Sequence, residues 1–319
     1  MRRRVLGLLV LVLAVVALVV GLLRPRVPWQ AGAGNQVGVV EVVGPILSTA
    51  DPWSPDAADV RDVLDQLETA RTDQAIRAVV VRIDSPGGTP AASQELREAL
   101  QRVREAGKPV VASLGDVAAS GGYYVATGAD RIVANPGTLT GSIGVIFQVF
   151  TVHELLDRWG VQVNVVQTGR FKDTGSPFRP LDPLDRQFLE QLAQDVLDQF
   201  VQAVVEGRGL PEEEVRELAD GRVFSGRQAL ELGLVDQLGG LDAAVSLAAR
   251  LAGIEGEPEV RRLRRPRTLF EELVWGLARL IPSRLGARIP PALAPPGGEG
   301  NPSAPPLPPA GLPRLRVFW

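Results

Sequence analysis

Ala78-Val-Val-Val-Arg-Ile-Asp-Ser-Pro-Gly-Gly88 is the stretch from which the fold follows. Ala78–Ile83 is a β-branched run with one polar interruption, as expected of a strand covered on both faces. Upstream, Val37–Val43 is a second strand, ended by Gly44-Pro45, and Asp56–Ala70 places Val60, Val63, Leu64 and Leu67 at helical spacing. Downstream, Ala91–Ala106 is helical through Leu96, Leu100 and Val103, and Val110–Leu114 is a strand. Ser120–Gly128 reads as a short helix, with strands at Arg131–Ala134, Ile143–Val149 and Val161–Val166. Strands alternating with helices at this spacing predict parallel strands joined by crossovers, an α/β fold. Pro183–Glu206 is a long helix and Glu212–Ala219 a shorter one. Ser225 is the expected N-cap of Gly226–Leu232, Gly233 its stop, and Leu241–Leu251 the last core helix. No internal repeat is visible.

The amino terminus sets the chain apart from an ordinary globular domain. Met1-Arg-Arg-Arg4 precedes Val5–Leu23, nineteen residues without a charge. As a helix this run spans about 28 Å, close to the hydrocarbon thickness of a bilayer. Arg24-Pro-Arg26 follows directly, and the nearest cleavage-like site, Ala31-Gly-Ala33, is distant, so an uncleaved transmembrane anchor is expected rather than a signal peptide. The basic residues before the span place the amino terminus inside and the remainder outside the cell membrane. Residues 24–36 read as a linker and 37–255 as the folded domain. Residues 256–288 form a basic and amphipathic segment, with Arg261–Arg265 and a helix over Thr268–Leu285 that suits a membrane surface, a neighbouring subunit or its own domain. The Pro-rich residues 289–319 are expected to be disordered.

Composition removes many chemistries. There is no cysteine, one histidine (His153) and two lysines (Lys108 and Lys172) against thirty-two arginines. Cysteine nucleophiles, thiolate metal sites and multi-histidine metal centres are excluded, so no metal and no cofactor are expected. A net charge of −3 gives no global field for nucleic acid. His153 lies in the apparently amphipathic Thr151–Trp159 and reads as structural; Lys108 reads as an exposed turn before a strand. Lys172 is different. It stands in Thr168-Gly-Arg-Phe-Lys-Asp-Thr-Gly-Ser-Pro-Phe-Arg179, and a chain that otherwise uses arginine has kept a lysine there. Arginine cannot lose its proton in a protein, whereas a buried lysine can. The bland alternative is a solvated surface lysine.

Three small-residue loops accompany it. In Asp84-Ser-Pro-Gly-Gly88, Gly87 and Gly88 follow a buried strand and can bare N–H groups to a ligand; the alternative is a Pro-Gly turn. In Gly115-Asp-Val-Ala-Ala-Ser-Gly-Gly-Tyr-Tyr-Val-Ala126, Ser120 opens a helix among small neighbours, where negative charge is favoured; the alternative is a plain N-cap. In Thr140-Gly-Ser-Ile-Gly144, Ser142 is a candidate partner for a catalytic group or a turn serine.

The ordered series Ser-Pro-Gly-Gly, Ala-Ala-Ser-Gly-Gly-Tyr-Tyr, Thr-Gly-Ser-Ile-Gly and Lys-Asp-Thr-Gly-Ser-Pro-Phe-Arg resembles the short, single-unit form of the signal peptide peptidase A family, bacterial membrane-anchored serine peptidases. The resemblance covers residues 37–252 and the amino-terminal span. It implies a Clp-protease/crotonase-like superhelix of ββα units. It also implies Ser120 as nucleophile, Lys172 as general base and Ser142 as the serine that orients the lysine. One of Gly87 and Gly88 matches the first oxyanion-hole donor and the N–H of Gly121 the second. Members assemble as homo-oligomeric rings in which adjacent subunits share active sites, and they cleave remnant signal peptides left in the membrane. The competing readings are a crotonase-type acyl-thioester enzyme, which explains neither the membrane anchor nor a Ser–Lys pair, and a non-catalytic membrane scaffold, which predicts that Ser120→Ala leaves cellular function unchanged.

Overall fold

The computed structural model describes residues 34–48 and 58–263, together with the backbone pairing of residues 317–318. The expected anchor, the amphipathic helix and almost all of the Pro-rich tail lie outside the described residues. Among those described, no helix is long and apolar enough to cross a membrane.

The chain runs β1 (Gln36–Val43), β2 (Ile46–Leu47), β3 (Ala58–Asp59), α1 (Val60–Thr72), β4 (Ile76–Ser85), α2 (Pro90–Glu105), β5 (Val110–Ala119) and α3 (Gly121–Ala126). It continues through β6 (Arg131–Ala134), β7 (Leu139–Gly141), β8 (Ile146–Phe147), α4 (His153–Arg158), α5 (Pro183–Arg208) and α6 (Glu212–Leu218). The described elements end with β9 (Val223–Ser225), α7 (Gly226–Glu231), β10 (Gln237–Leu238), α8 (Leu241–Leu251), β11 (Glu259–Arg262) and β12 (Val317–Phe318). The central sheet has the order β10-β6-β5-β4-β1-β11, and every neighbouring pair in it is parallel. The α/β expectation holds.

Both faces of the sheet are covered, which is why β4 shows no polar alternation. Val37, Val39, Ala78, Val80, Val111 and Val133 pack with Ala244, Val245, Ala248 and Ala249 of α8. Val40, Val42, Val79, Val81, Ile83 and Leu114 belong to a larger core built with α1, α2, α3 and α5. In α1 the buried residues Val60, Val63, Leu67 and Ala70 recur every three or four positions, and Asp59 caps the helix by accepting from the N–H groups of Arg61 and Asp62. Ser225 and Gln228 form a full capping box on α7, as the sequence predicts.

The feature that builds the site is an irregularity in β5. Opposite β4, Ile83 pairs with Leu114 but Ser85 pairs with Ala118, so β5 spends extra residues at Gly115-Asp-Val117. The Asp84 carboxylate accepts the Val117 N–H at 3.1 Å and ties the bulge down. Before the bulge, Val111–Leu114 pairs with β6; after it, Val117–Ala119 pairs with β7, which in turn pairs antiparallel with β9. One strand thus serves the main sheet and a second ribbon, and it ends directly at Ser120.

Three expectations need correction. Residues 143–149 are not one strand: Leu139–Gly141 and Ile146–Phe147 are separate short strands, the latter antiparallel to Val317–Phe318. Residues 161–166 form no strand. Their apolar alternation marks a surface fit for burial, but no partner strand meets it among the described residues. The sheet also extends past residue 255, since β11 pairs with β1 inside the segment set apart as basic: Arg261 and Arg262 bond Asp73 and Glu41.

Candidate active site

Ser120 occupies the turn from β5 into α3 with φ 54° and ψ −121°. L-residues avoid this region, and holding one there costs on the order of 1–3 kcal/mol. The backbone is pinned on both sides. The Ser120 N–H donates to the Gly141 carbonyl at 2.8 Å, and its own carbonyl accepts the Tyr124 N–H at 2.9 Å. The helix behind it is fixed by its two tyrosines. The Tyr123 hydroxyl donates to the Leu234 carbonyl at 2.8 Å, and full burial pushes that phenol above its ordinary value. The Tyr124 ring meets Phe200 edge-on at 5.2 Å, with the Arg97 guanidinium 5.7 Å from its centre. The Ser120 side chain makes no cap bond, which disposes of the plain N-cap alternative. Ser120 is 3% exposed, and its Oγ is buried without a hydrogen-bond partner among the described residues. A buried hydroxyl left unpaired calls for an explanation.

The Gly87-Gly88 loop lies against this serine. A Cβ on Gly87, whose φ is 113°, would fall 2.9 Å from the Ser120 Cβ and 3.0 Å from the Gly121 nitrogen. The two glycines are not equivalent. The Gly87 N–H donates to Ser85 Oγ at 3.1 Å, and the Gly87 carbonyl accepts from Ile46 at 2.9 Å. The Gly88 N–H has no acceptor among the described residues, and neither has that of Gly121 at the first position of α3. Gly88 is also closely packed: a Cβ there would lie 1.9 Å from the Ile46 carbonyl oxygen. The donors of two chain segments therefore converge beside one hydroxyl.

Ser142 adjoins Gly141, the residue that anchors the Ser120 backbone. It has φ 50°, donates its N–H to the Arg222 carbonyl at 2.8 Å, and donates its hydroxyl to the Gly221 carbonyl at 3.3 Å. Lys172 stands apart. It lies in a 3-10 turn, Arg170–Asp173, with its side chain exposed and without a hydrogen-bond or ion-pair partner among the described residues. One chain brings together Ser120, Gly87, Gly88, Gly121 and the Gly141-Ser142 turn, but no hydrogen bond joins Lys172 to Ser120.

Lys108 is half-buried rather than an exposed turn residue. Its Nζ donates to the Ala70 and Asp73 carbonyls at 2.7 and 2.6 Å, closing the carboxyl end of α1. Burial lowers its pKa, with the Asp73 carboxylate opposing that shift. His153 begins α4, none of whose residues is buried, and its Nδ1 has no partner among the described residues. The apolar side of that helix is uncovered: Leu155 is exposed, and Trp159 is 71% exposed. Sequence reasoning missed Ser85, which claims the Gly87 N–H, and the acidic pair Asp173 and Asp185 around Arg179. Only the unbroken spelling of the Lys172 loop hinted at the latter.

Comparison with known proteins places the chain in a family. The model of "Peptidase family S49" matches residues 102–255, which hold Ser120, Ser142 and Lys172. A Synechocystis sp. protein described as a protease is 41% identical over 254 residues, covering 79% of this chain and 88% of that protein. Protease 4 of Salmonella typhi is 33% identical over 268 residues, 82% of this chain but only 42% of the longer protein. An Enterococcus faecium protein described as signal peptide peptidase SppA is 34% identical over 213 residues, 66% of this chain and 62% of that protein. A relative matched over most of both lengths and a family model laid over the serine and lysine loops lead to one assignment: the chain belongs to peptidase family S49.

Proposed function

We propose that the protein is a membrane-anchored serine endopeptidase that works through Ser120 and Lys172 and cleaves apolar peptides, remnant signal peptides among them. The observation that carries this reading is the Ser120 Oγ, buried at a strained strand-to-helix turn beside two N–H groups, all three without a partner among the described residues. Such a turn projects a hydroxyl from the end of a sheet. The Ser120 Oγ attacks the peptide carbonyl carbon, and its proton passes to the neutral Lys172 amine. The carbonyl oxygen becomes an oxyanion held by the N–H groups of Gly88 and Gly121, a role Gly87 cannot share while its own N–H is bonded to Ser85. One such donor is worth about 2.7–4 kcal/mol in well-studied cases. The lysine ammonium then protonates the departing amine, leaving an acyl-ester on Ser120. Water, giving a proton to Lys172, attacks that ester and releases the acid. Ser142 orients the lysine.

The lysine comes from a neighbouring copy of the chain in a ring. Two observations support this: the bare Lys172 side chain, and the uncovered apolar residues around it. Phe150, Leu155, Trp159, Val161, Val163 and Val165 are all exposed in the single chain, and apolar residues exposed together mark contact surfaces. In the ring, residues 161–166 find the cover that their apolar alternation calls for. The Val5–Leu23 span anchors each copy, with the catalytic domain outside the cytoplasm.

The experiment is intact-mass detection of a serine-reactive probe on the full chain, alongside peptide hydrolysis. One adduct on the native protein, none on Ser120→Ala, and lost hydrolysis in Lys172→Arg are expected. A Lys172→Arg protein with full activity refutes the base, because arginine does not accept the proton.

A further inference from the structure

The turn that carries Lys172 is fastened on both sides to the first turns of α5. At its start, Arg170 bonds Asp182, the N-cap of α5, at 2.9 Å. In its middle, the Phe171 ring stacks on Phe188 at 5.0 Å between centres, with planes 24° apart. At its end, Arg179 grips Asp173 with both arms of its fork, Nε to Oδ2 at 2.8 Å and Nη2 to Oδ1 at 3.0 Å. The same guanidinium bonds Asp185, whose side chain is fully buried on α5. Thr174 donates its hydroxyl to the other Asp185 oxygen at 2.8 Å. Three of the four turn residues are therefore held by their side chains, and the fourth, Lys172, is held by none. A bidentate arginine on one carboxylate fixes direction as well as distance.

We propose that Arg179, through Asp173 and the buried Asp185, is a positioning residue that sets the direction in which Lys172 leaves its turn. The inference rests on Lys172 being the base. A flexible four-carbon side chain reaches a fixed target best from a fixed root, and a displacement of about 1 Å in a reacting group can cost 10²-fold in rate. Arg179 touches neither the serine nor the peptide in this scheme; it acts through the backbone between residues 170 and 174.

The test compares Arg179→Gln, Asp173→Asn and Arg179→Lys with Lys172→Ala in the full anchored chain, using an apolar fluorogenic peptide. Arg179→Gln and Asp173→Asn should lower kcat about 10- to 100-fold with KM within about twofold. Arg179→Lys keeps one ion pair and loses the fork, so its kcat should lie between. A second readout covers the case in which a variant folds poorly. With 13C-labelled lysine the chain gives only two lysine side-chain signals. The Lys172 signal should move or broaden in the milder Thr174→Val while that of Lys108 stays put. The proposal is overturned if the folded variants keep kcat within twofold while Lys172→Ala is inactive, or if the Lys172 signal does not respond. An active Lys172→Ala is a separate result: it removes the base itself, and the positioning role with it.

Discussion

Ser120 offers a direct test of whether the site stores backbone strain. Ser120→Ala and Ser120→Gly both delete the hydroxyl, so both should abolish hydrolysis and probe labelling. They differ in what remains at φ 54° and ψ −121°. Alanine keeps the clash of its Cβ with the backbone, and relief of such strain is worth about 1–3 kcal/mol. Glycine escapes the clash but loses more freedom on folding, about 0.5–1 kcal/mol relative to alanine. The balance favours Ser120→Gly over Ser120→Ala by roughly 0.5–2 kcal/mol, the reverse of the usual order inside a regular element. For a domain of this size each kcal/mol moves the midpoint by roughly 2–4 °C. Urea unfolding of the two variants, followed by far-ultraviolet circular dichroism, reads the difference without needing the native hydroxyl as reference. An alanine variant as stable as the glycine variant, or more stable, would refute the strain argument.

Other consequences are open to simpler measurements. Gly88→Ala drives a methyl group into the Ile46 carbonyl, so the bonds from Ile46 to Gly87 and from Thr89 to Ile46 must give way; kcat should fall at least about 10²-fold as the donor moves, with the thermal midpoint lowered. Lys108→Met removes both bonds to the end of α1 and should cost about 1–3 kcal/mol in urea unfolding, while kcat per folded chain stays unchanged. Arg179 holds the Asp173 carboxyl down to about 2, against an unfolded value near 3.9. A depressed carboxyl stabilises the fold above the unfolded value and loses that contribution as pH falls through the folded one. The stability gap between the native protein and Asp173→Asn should therefore be constant above about pH 5, shrink below pH 4 and close near pH 2.

The fold was legible because its core strands are buried on both faces and separated by helices of ordinary length. β6 and α8 match the sequence expectation residue for residue. Where reading failed, the cause was physical. Val161–Val166 has the alternation of a half-covered strand, but alternation records that a face wants burial and says nothing about which chain covers it. Lys108 looked like a surface turn because its acceptors, Ala70 and Asp73, lie more than thirty residues away and are backbone groups with no spelling of their own. The site was half legible. Small residues around Ser120 signalled room for a ligand, yet the choice between Gly87 and Gly88 needed the hydroxyl of Ser85, which is invisible as an acceptor in a string of letters. The clasp on Lys172 depends on Asp185, a carboxylate that helical spacing puts on the same face as Leu189, Leu192 and Val196, but nothing in the spacing says that Arg179 is its partner.

The bulge at Gly115-Asp-Val117 has one more consequence. Because a single strand runs from the middle of the sheet to Ser120, with the Asp84 carboxylate bracing the offset, the serine is mounted on the buried sheet rather than on a surface loop. An opening that releases the exposed helix α4 leaves that mounting intact, so the turn at Ser120 opens only with the central sheet. Under the proposed mechanism the hydroxyl is set in place when the sheet itself folds, and what an assembly of copies still has to deliver is the lysine amine.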